Sequence, residues 1–236
     1  MDGAPLFTQL CVGSLRRGVR DVKKNNTGLC TMPRPADRTT MKERILETTD
    51  RLFYGQGIRA IGVDTVAAEI GISKRTLYNH FPSKDALIAA YLARRFTPSP
   101  PSDKPPVEQI LGTFDRLERS FPNKDFRGCP FVNAVAELGE ADHATRKIAI
   151  AFKESRRQWF RGLLVELGLA DPDDLATQLA LLVDGAVAAG LVRRDPSMAR
   201  AARAAAGVLL KAAGVKIDAA EPAGMPRRRT RKRVSG

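Results

Sequence analysis

The sequence predicts an all-α chain, with a compact three-helix unit near the N-terminus and a longer helical part behind it. Three observations carry that expectation. Apolar residues recur at i, i+3 and i+4 through most of the chain after residue 39, and nothing alternates with the period of a strand. Ala and Leu crowd the C-terminal half while aromatics make up only 6% of residues, a bias towards helix. Ser, Thr, Asp and Gly stand at the ends of the periodic segments, where helices start and stop. At 236 residues the chain is long enough for one large or two modest domains.

Taken in order, residues 1–38 hold no sustained period and mix Gly, Pro, Asn and basic residues, so they read as a disordered arm. Met32 and Met41 offer alternative starts and leave open whether the arm belongs to the native protein. Thr39 or Thr40 caps a first helix in which Ile45, Leu46, Thr49, Leu52 and Phe53 share a face, and Gly55 and Gly57 stop it. A connection over 58–63 leads to Asp64, the expected N-cap of a helix over 65–70. Gly71-Ile72-Ser73 makes a tight turn, Ser73 caps 74–81, Pro82-Ser83 breaks again, and Ser83 caps a helix over 84–95. Residues 97–106 (TPSPPSDKPP) contain five prolines and cannot be helical, which makes them a linker between a first domain, 39–96, and a second, 107–216. In the second domain five helices are expected, at 107–121, 130–139, 143–168, 173–192 and 196–214. Pro122-Asn123, Gly139, Asp171-Pro172 and Asp195-Pro196 divide them. Residues 217–236 read as a basic disordered tail.

The net charge of +13 is unevenly spread. Segments 1–40 and 41–96 carry +4 and +3, residues 97–218 only +1, and 219–236 carry +5. An excess on the tails and first folded segment suits a polyanion held at one end of the molecule. Basic tails that merely aid solubility are the plainer alternative, and the run RRRTRKR at 227–233 could add salt-sensitive, sequence-independent affinity for nucleic acid. Cys11, Cys30 and Cys129 are odd in number and follow no disulfide or zinc spacing, so a reducing cytoplasm is expected. No apolar run is expected to reach the roughly 18 residues that span a bilayer. Residues 6–15 are too short for a secretory signal, and their basic residues follow the apolar ones. With His80 and His143 alone, and no nucleophile elbow, phosphate loop or metal-spaced cluster, neither an enzyme nor a cofactor or metal is expected.

Residues 64–81 read DTVAAEIGISKRTLYNHF. Two short helices meeting through a tight turn need a residue that tolerates left-handed backbone, small residues where they cross, and aliphatics facing a third helix. Gly71, Ala67, and Val66, Ile70, Ile72 and Leu77 supply these. The second helix then turns Lys74, Arg75, Thr76, Tyr78, Asn79 and His80 outwards, a run useless as core and suited to a DNA groove. Arg can fork onto guanine, Thr can meet a thymine methyl, Asn can read adenine, and Lys can neutralise phosphate. Tyr78, His80 and the free N–H groups around Thr65 can donate to phosphate oxygens. An ordinary helical corner with a solvated polar face is the bland alternative.

The stretch GISKRTLYNHFPSKDAL, preceded by a helix that ends in a Gly-containing turn, closely resembles the DNA-binding domain of TetR-type transcriptional regulators. The resemblance spans residues 39–95. It implies a three-helix head, a fourth helix leading to a sensor domain, and a homodimer on palindromic double-stranded DNA. Carried over by position, it makes Thr65 and Lys84 phosphate contacts and puts Ser73, Lys74, Arg75, Thr76, Tyr78, Asn79 and His80 at the recognition helix. Leu77 and Phe81 would be buried beneath it. It further implies that the helices at 173–192 and 196–214 form a four-helix dimer interface.

Beyond residue 96 the resemblance fades, except that FRGCPFVNAVAEL at 126–138 is similar to a segment that starts a cavity-lining helix in some of these regulators. Pro130 suits the first helical turn and Gly128 a sharp entry. Cys129 would stand at the helix N-terminus, a position suited to redox or electrophile sensing; a small residue in a packed turn is the alternative. Candidate effector contacts are Phe114, Cys129, Phe131, Asn133, Phe152 and Trp159, with Leu117, Val135 and Phe160 nearby, although an aromatic stripe at helical spacing is usually core. In 173–192 apolar residues cover most of the circumference, with Gly185, Ala186, Ala189 and Gly190 permitting close approach and Asp184 standing alone among them. The expected function is a cytoplasmic, sequence-specific repressor released from its operator by an unidentified small-molecule effector. A nonspecific DNA-binding protein of architectural type is the alternative.

Overall fold

The computed structural model describes residues 40–98, 101–139 and 143–217. The arm expected at 1–38, the tail from 218 on, Cys11, Cys30, and Ser99-Pro100 of the linker lie outside the described residues. Among the described residues the chain is all-α, with nine helices and no strand.

The head is built from α1 (Met41–Gln56), α2 (Val63–Ile70), α3 (Lys74–His80) and α4 (Lys84–Arg95). A capping box starts α1: the Thr40 hydroxyl accepts the Glu43 amide at 3.2 Å while the Glu43 carboxylate accepts the Thr40 amide at 2.7 Å. Two of the four orphan N–H groups are thereby satisfied. Ile45, Thr49, Leu52 and Phe53 form the buried face of α1, and Gly57 closes it at φ 97°. The N-cap of α2 is Gly62, not Asp64. Its extended backbone already offers the first helical carbonyl, to Val66 N at 3.3 Å, and the Asp64 carboxylate instead meets Lys74 Nζ at 2.7 Å. A cap needs only that backbone geometry, and a distant cation outcompeted the helix N–H groups for the side chain.

Behind the head lie α5 (Pro106–Ser120), α6 (Pro130–Leu138), α7 (His143–Glu166), α8 (Asp173–Arg193) and α9 (Ser197–Ala212). α5 packs against α9, α9 against α8, and α8 against α7, enclosing Ile110, Phe114, Phe121, Phe160, Leu164, Leu179, Val183 and Leu210. The core of the head continues into this half: Phe131 and Ala134 of α6 and Ala149 of α7 join Phe53, Leu87, Tyr91 and Leu92. Gly190 is required where α8 passes α5, because a Cβ there would sit 2.6 Å from the ring of buried Phe121. α8 departs from expectation in one respect, being long and apolar enough to cross a membrane by length and composition alone. Its Leu175, Leu179, Val183, Ala186 and Gly190 are instead buried within the bundle.

Candidate nucleic-acid interface

The turn between α2 and α3 is closed by backbone and cap together. Gly71 is left-handed (φ 78°, ψ 34°), the Ile72 amide reaches the Ala67 carbonyl at 3.0 Å, and the Ser73 hydroxyl accepts the Thr76 amide at 3.0 Å. Val66, Ala67, Leu77 and Phe81 are buried and fix α3 on the head. The opposite side of α3 presents Lys74, Arg75, Tyr78, Asn79 and His80 to solvent. The side chains of Arg75, Tyr78, Asn79 and His80 make no hydrogen bond or ion pair among the described residues, whereas that of Lys74 is shared with Asp64. Both partners of that pair are more than half exposed (57% and 66%), so a phosphate oxygen can displace the carboxylate at little cost.

The remaining expected DNA contacts are placed differently from one another. Thr65 is exposed in the first turn of α2. Ser73 and Thr76 face each other across 2.9 Å within the cap, so both hydroxyls serve the helix start. Lys84 is half-buried: its ammonium donates to the Ile58 carbonyl at 2.7 Å and lies 6.0 Å from the Phe53 ring centroid, bracing the loop that leads into α2. One basic residue not expected at this surface is Lys42, which is exposed in the first turn of α1 with its Nζ 5.8 Å above the ring of Phe81, the residue that ends α3. The only signal for it in the sequence was a lysine one residue into a capped helix.

A groove of about 590 Å³ opens between α6, α7 and α8. Phe131, Val135, Ala149, Ile150 and Leu181 give it apolar walls, and Lys153, Arg156 and Asp184 lie together along it. Asp184 accepts from Lys153 Nζ at 2.5 Å and from Arg156 Nη1 at 3.4 Å, facing the groove. Of the expected effector contacts, Phe131 and Val135 line this groove. Phe152 stands behind it, its ring stacked on Phe131 at 3.9 Å and 14°. Phe114, Leu117, Trp159 and Phe160 pack into the core of the α5–α7–α8–α9 bundle instead. Periodicity had marked them as apolar-facing without saying which neighbour they face. Asn133 donates to the Arg127 carbonyl at 2.7 Å, steadying the loop before α6. Cys129 is the N-cap residue of α6, half-buried against the head core.

Helix α6 is held to the head at both ends. Before its start, the Tyr54 hydroxyl of α1 accepts from the Arg127 amide at 2.9 Å and donates to the Gly128 carbonyl at 3.0 Å. Near its end, the Glu137 carboxylate accepts the Arg59 amide, in the loop between α1 and α2, at 3.0 Å. That carboxylate also fills the space beside Gly57, where a Cβ would approach it to 3.0 Å. Arg95, in the last turn of α4, stacks over the Tyr54 ring at 4.3 Å and forks onto Asp50. Phe96, which closes α4, meets Phe131 and Phe152 edge-on at 6.2 and 5.6 Å. One wall of the groove is therefore fastened to α1, the α1–α2 loop and the end of α4.

A short helix pair whose second helix bears an exposed polar face, joined to a longer helical body with an apolar groove, is the arrangement of a helix-turn-helix DNA-binding regulator. The family model described as bacterial regulatory proteins of the tetR family matches residues 45–91. A TetR-type transcriptional regulator from Streptomyces avermitilis has the same fold, with a TM-score of 0.66, 35% identity, and coverage of 74% of this chain and 98% of its own. A TetR-family regulator from Streptomyces coelicolor gives 0.63 and 30%, over 72% and 94%. The HTH-type transcriptional regulator YxaF of Bacillus subtilis is 26% identical over 172 residues, which are 67% of this chain and 88% of that protein. The chain belongs to the TetR family of bacterial transcriptional regulators.

Proposed function

We propose that this regulator is a homodimeric repressor that grips a palindromic operator through α3 and releases it when a small molecule fills the α6–α7–α8 groove. Arg75, Tyr78, Asn79 and His80 read bases or adjoining phosphates, being the exposed residues of α3 with no competing partner. Thr65, Lys74 and Lys42 supply phosphate contacts, and Thr76 meets the groove beside the cap that it shares with Ser73. Lys84 keeps two of its three N–H donors for a phosphate while the third holds Ile58. A second apolar surface, formed by Leu181, Leu182, Gly185 and Ala189 of α8 with Met198 and Leu209 of α9, serves as the dimer interface. Pairing two copies there sets two α3 helices roughly 34–36 Å apart, one turn of duplex. The protein performs no chemical step and acts in the cytoplasm.

The observation that carries the effector reading is the fastening of α6. A molecule that pushes on Phe131 and Val135 moves a helix tied at one end to Tyr54 and at the other to Arg59. A molecule that fits the groove better in one head orientation than in another shifts the balance between them, and it weakens DNA binding by the ratio of its affinities for the two. Genome-wide footprinting of the purified protein, followed by operator titrations with and without a panel of small apolar compounds, tests this. A palindromic site whose affinity falls with a groove-binding compound is expected. Protection without a common sequence, as from an architectural protein, contradicts the proposal.

A further inference from the structure

The charges along the groove are out of balance, and the imbalance identifies a chemical class of ligand. Four basic side chains (Arg146, Lys153, Arg156 and Arg157) line it against two carboxylates (Glu154 and Asp184). Asp173, outside the lining, takes a further bond from Arg157 at 2.7 Å, so the uncompensated charge lies with Arg146, Lys153 and Arg156. Glu154 is fully engaged at the rim: Arg157 forks onto it at 2.7 and 2.9 Å and Gln158 adds a bond at 2.8 Å. Asp184 alone must serve both Lys153 and Arg156. It sits close to Lys153, and its contact with Arg156, at 3.4 Å, is long. The Arg156 guanidinium is held by the face of Phe152, 4.9 Å from the ring centroid, and spends only that one long bond of its five N–H donors. All three side chains are 26–34% exposed, so they are partly withdrawn from water and screened less than surface charges.

We infer that the groove takes an amphipathic anion, an apolar body carrying one carboxylate or similar oxyanion that Arg156 and Lys153 bind at the expense of Asp184. The inference rests on the reading of the groove as the effector site. A carboxylate entering an apolar groove pays for lost hydration unless it meets a partly buried, already oriented cation, and Arg156 is one. A planar guanidinium presents two parallel N–H groups to two oxygens, which neither an alcohol nor an amine can match. A cationic ligand would meet the same surplus of positive charge and find both carboxylates occupied. The apolar body lies along Phe131, Val135, Ala149, Ile150 and Leu181, in a space within the usual range for small-molecule sites.

Calorimetric titration of the full chain near neutral pH, with decanoate, 1-decanol and decylamine below their micelle concentrations, tests the inference with one apolar body and three headgroups. Decanoate is expected to bind one per chain, about tenfold or more tighter than decanol, with decylamine weakest. Arg156→Gln should remove the advantage of decanoate and leave decanol unchanged, with Lys153→Met as a second variant should the first fail to fold. Asp184→Asn should tighten decanoate, because it removes the competing carboxylate; a merely structural Asp184 would loosen all three ligands together. Decanol or decylamine binding as tightly as decanoate, or Asp184→Asn weakening decanoate, overturns the anion assignment while leaving the groove as a binding site. Failure of all three probes to bind, as when a second copy of the chain covers the groove, overturns the reading of the groove as well.

Discussion

At the scale of single residues, Gly190 is the most tightly enclosed glycine among the described residues. The buried ring of Phe121 occupies the space that any β-carbon would need, at 2.6 Å, and Phe121 is packed against Phe126 with no solvent to retreat into. Gly190→Ala is expected to lower stability by about 1–3 kcal/mol, read as a fall in the urea midpoint without change in slope. The same scale shows why some site residues were legible in the sequence and others were not. Gly71 and Ser73 work through neighbours at most five residues away, so their turn and cap roles follow from local spacing, and the burial of Leu77 follows from the apolar spacing around it. Asp64 answers to Lys74, ten positions on, and Lys84 to the carbonyl of Ile58, 26 positions back. Tyr54 and Glu137 act across more than 70 residues, and no period in the sequence announces such a bond.

At the scale of elements, α6 is the piece shared between the groove and the head, and its two fastenings can be loosened separately. Tyr54→Phe removes the hydroxyl that serves Arg127 and Gly128; Glu137→Gln keeps an acceptor for Arg59 but sheds the charge. On the proposed coupling through the fastened helix, each variant should keep most of its operator affinity while the effector-induced loss shrinks several-fold. Operator titrations at saturating effector measure this, and an undiminished response would show that the fastenings carry no coupling. A second element-level link joins α7 to α8. Side-chain bonds from Arg157 and then Arg161 hold the Asp173 carboxylate below its usual range, and bonds from Arg157 and Gln158 bring Glu154 down to about 2. Carboxylates depressed in the folded state stabilise it fully above their unfolded pKa, near 4, and lose that contribution as pH falls through the folded value. The thermal midpoint should therefore hold steady down to about pH 5 and fall below it, more shallowly in Asp173→Asn, as scanning calorimetry across that window would show. Helix positions were largely legible because prolines, glycines and caps fall between them. The destination of each apolar stripe was not, and Trp159 and Phe160 face the bundle core although their spacing would equally suit a cavity.

At the scale of the whole molecule, the proposed function needs the free face of α3 and the apolar face of α8 and α9 to act together through a second copy, since one short helix makes too few contacts to select a site in a genome. Ala189→Arg, on the outer face of α8, should yield a monomer by sedimentation and weaken operator binding about a hundredfold or more, with the helical spectrum unchanged. A dimer that survives this change would place the interface elsewhere. The proposed function depends most heavily on base recognition by α3. Its most direct test is the affinity of the wild-type protein and of an Arg75→Ala/Tyr78→Ala variant for the footprinted operator and for a scrambled duplex of equal length and salt. The wild type should prefer the operator by about 10³-fold or more, and the variant should lose about 1–3 kcal/mol of that preference per contact while holding the scrambled duplex nearly as well. An unchanged preference in the variant would contradict base recognition by α3.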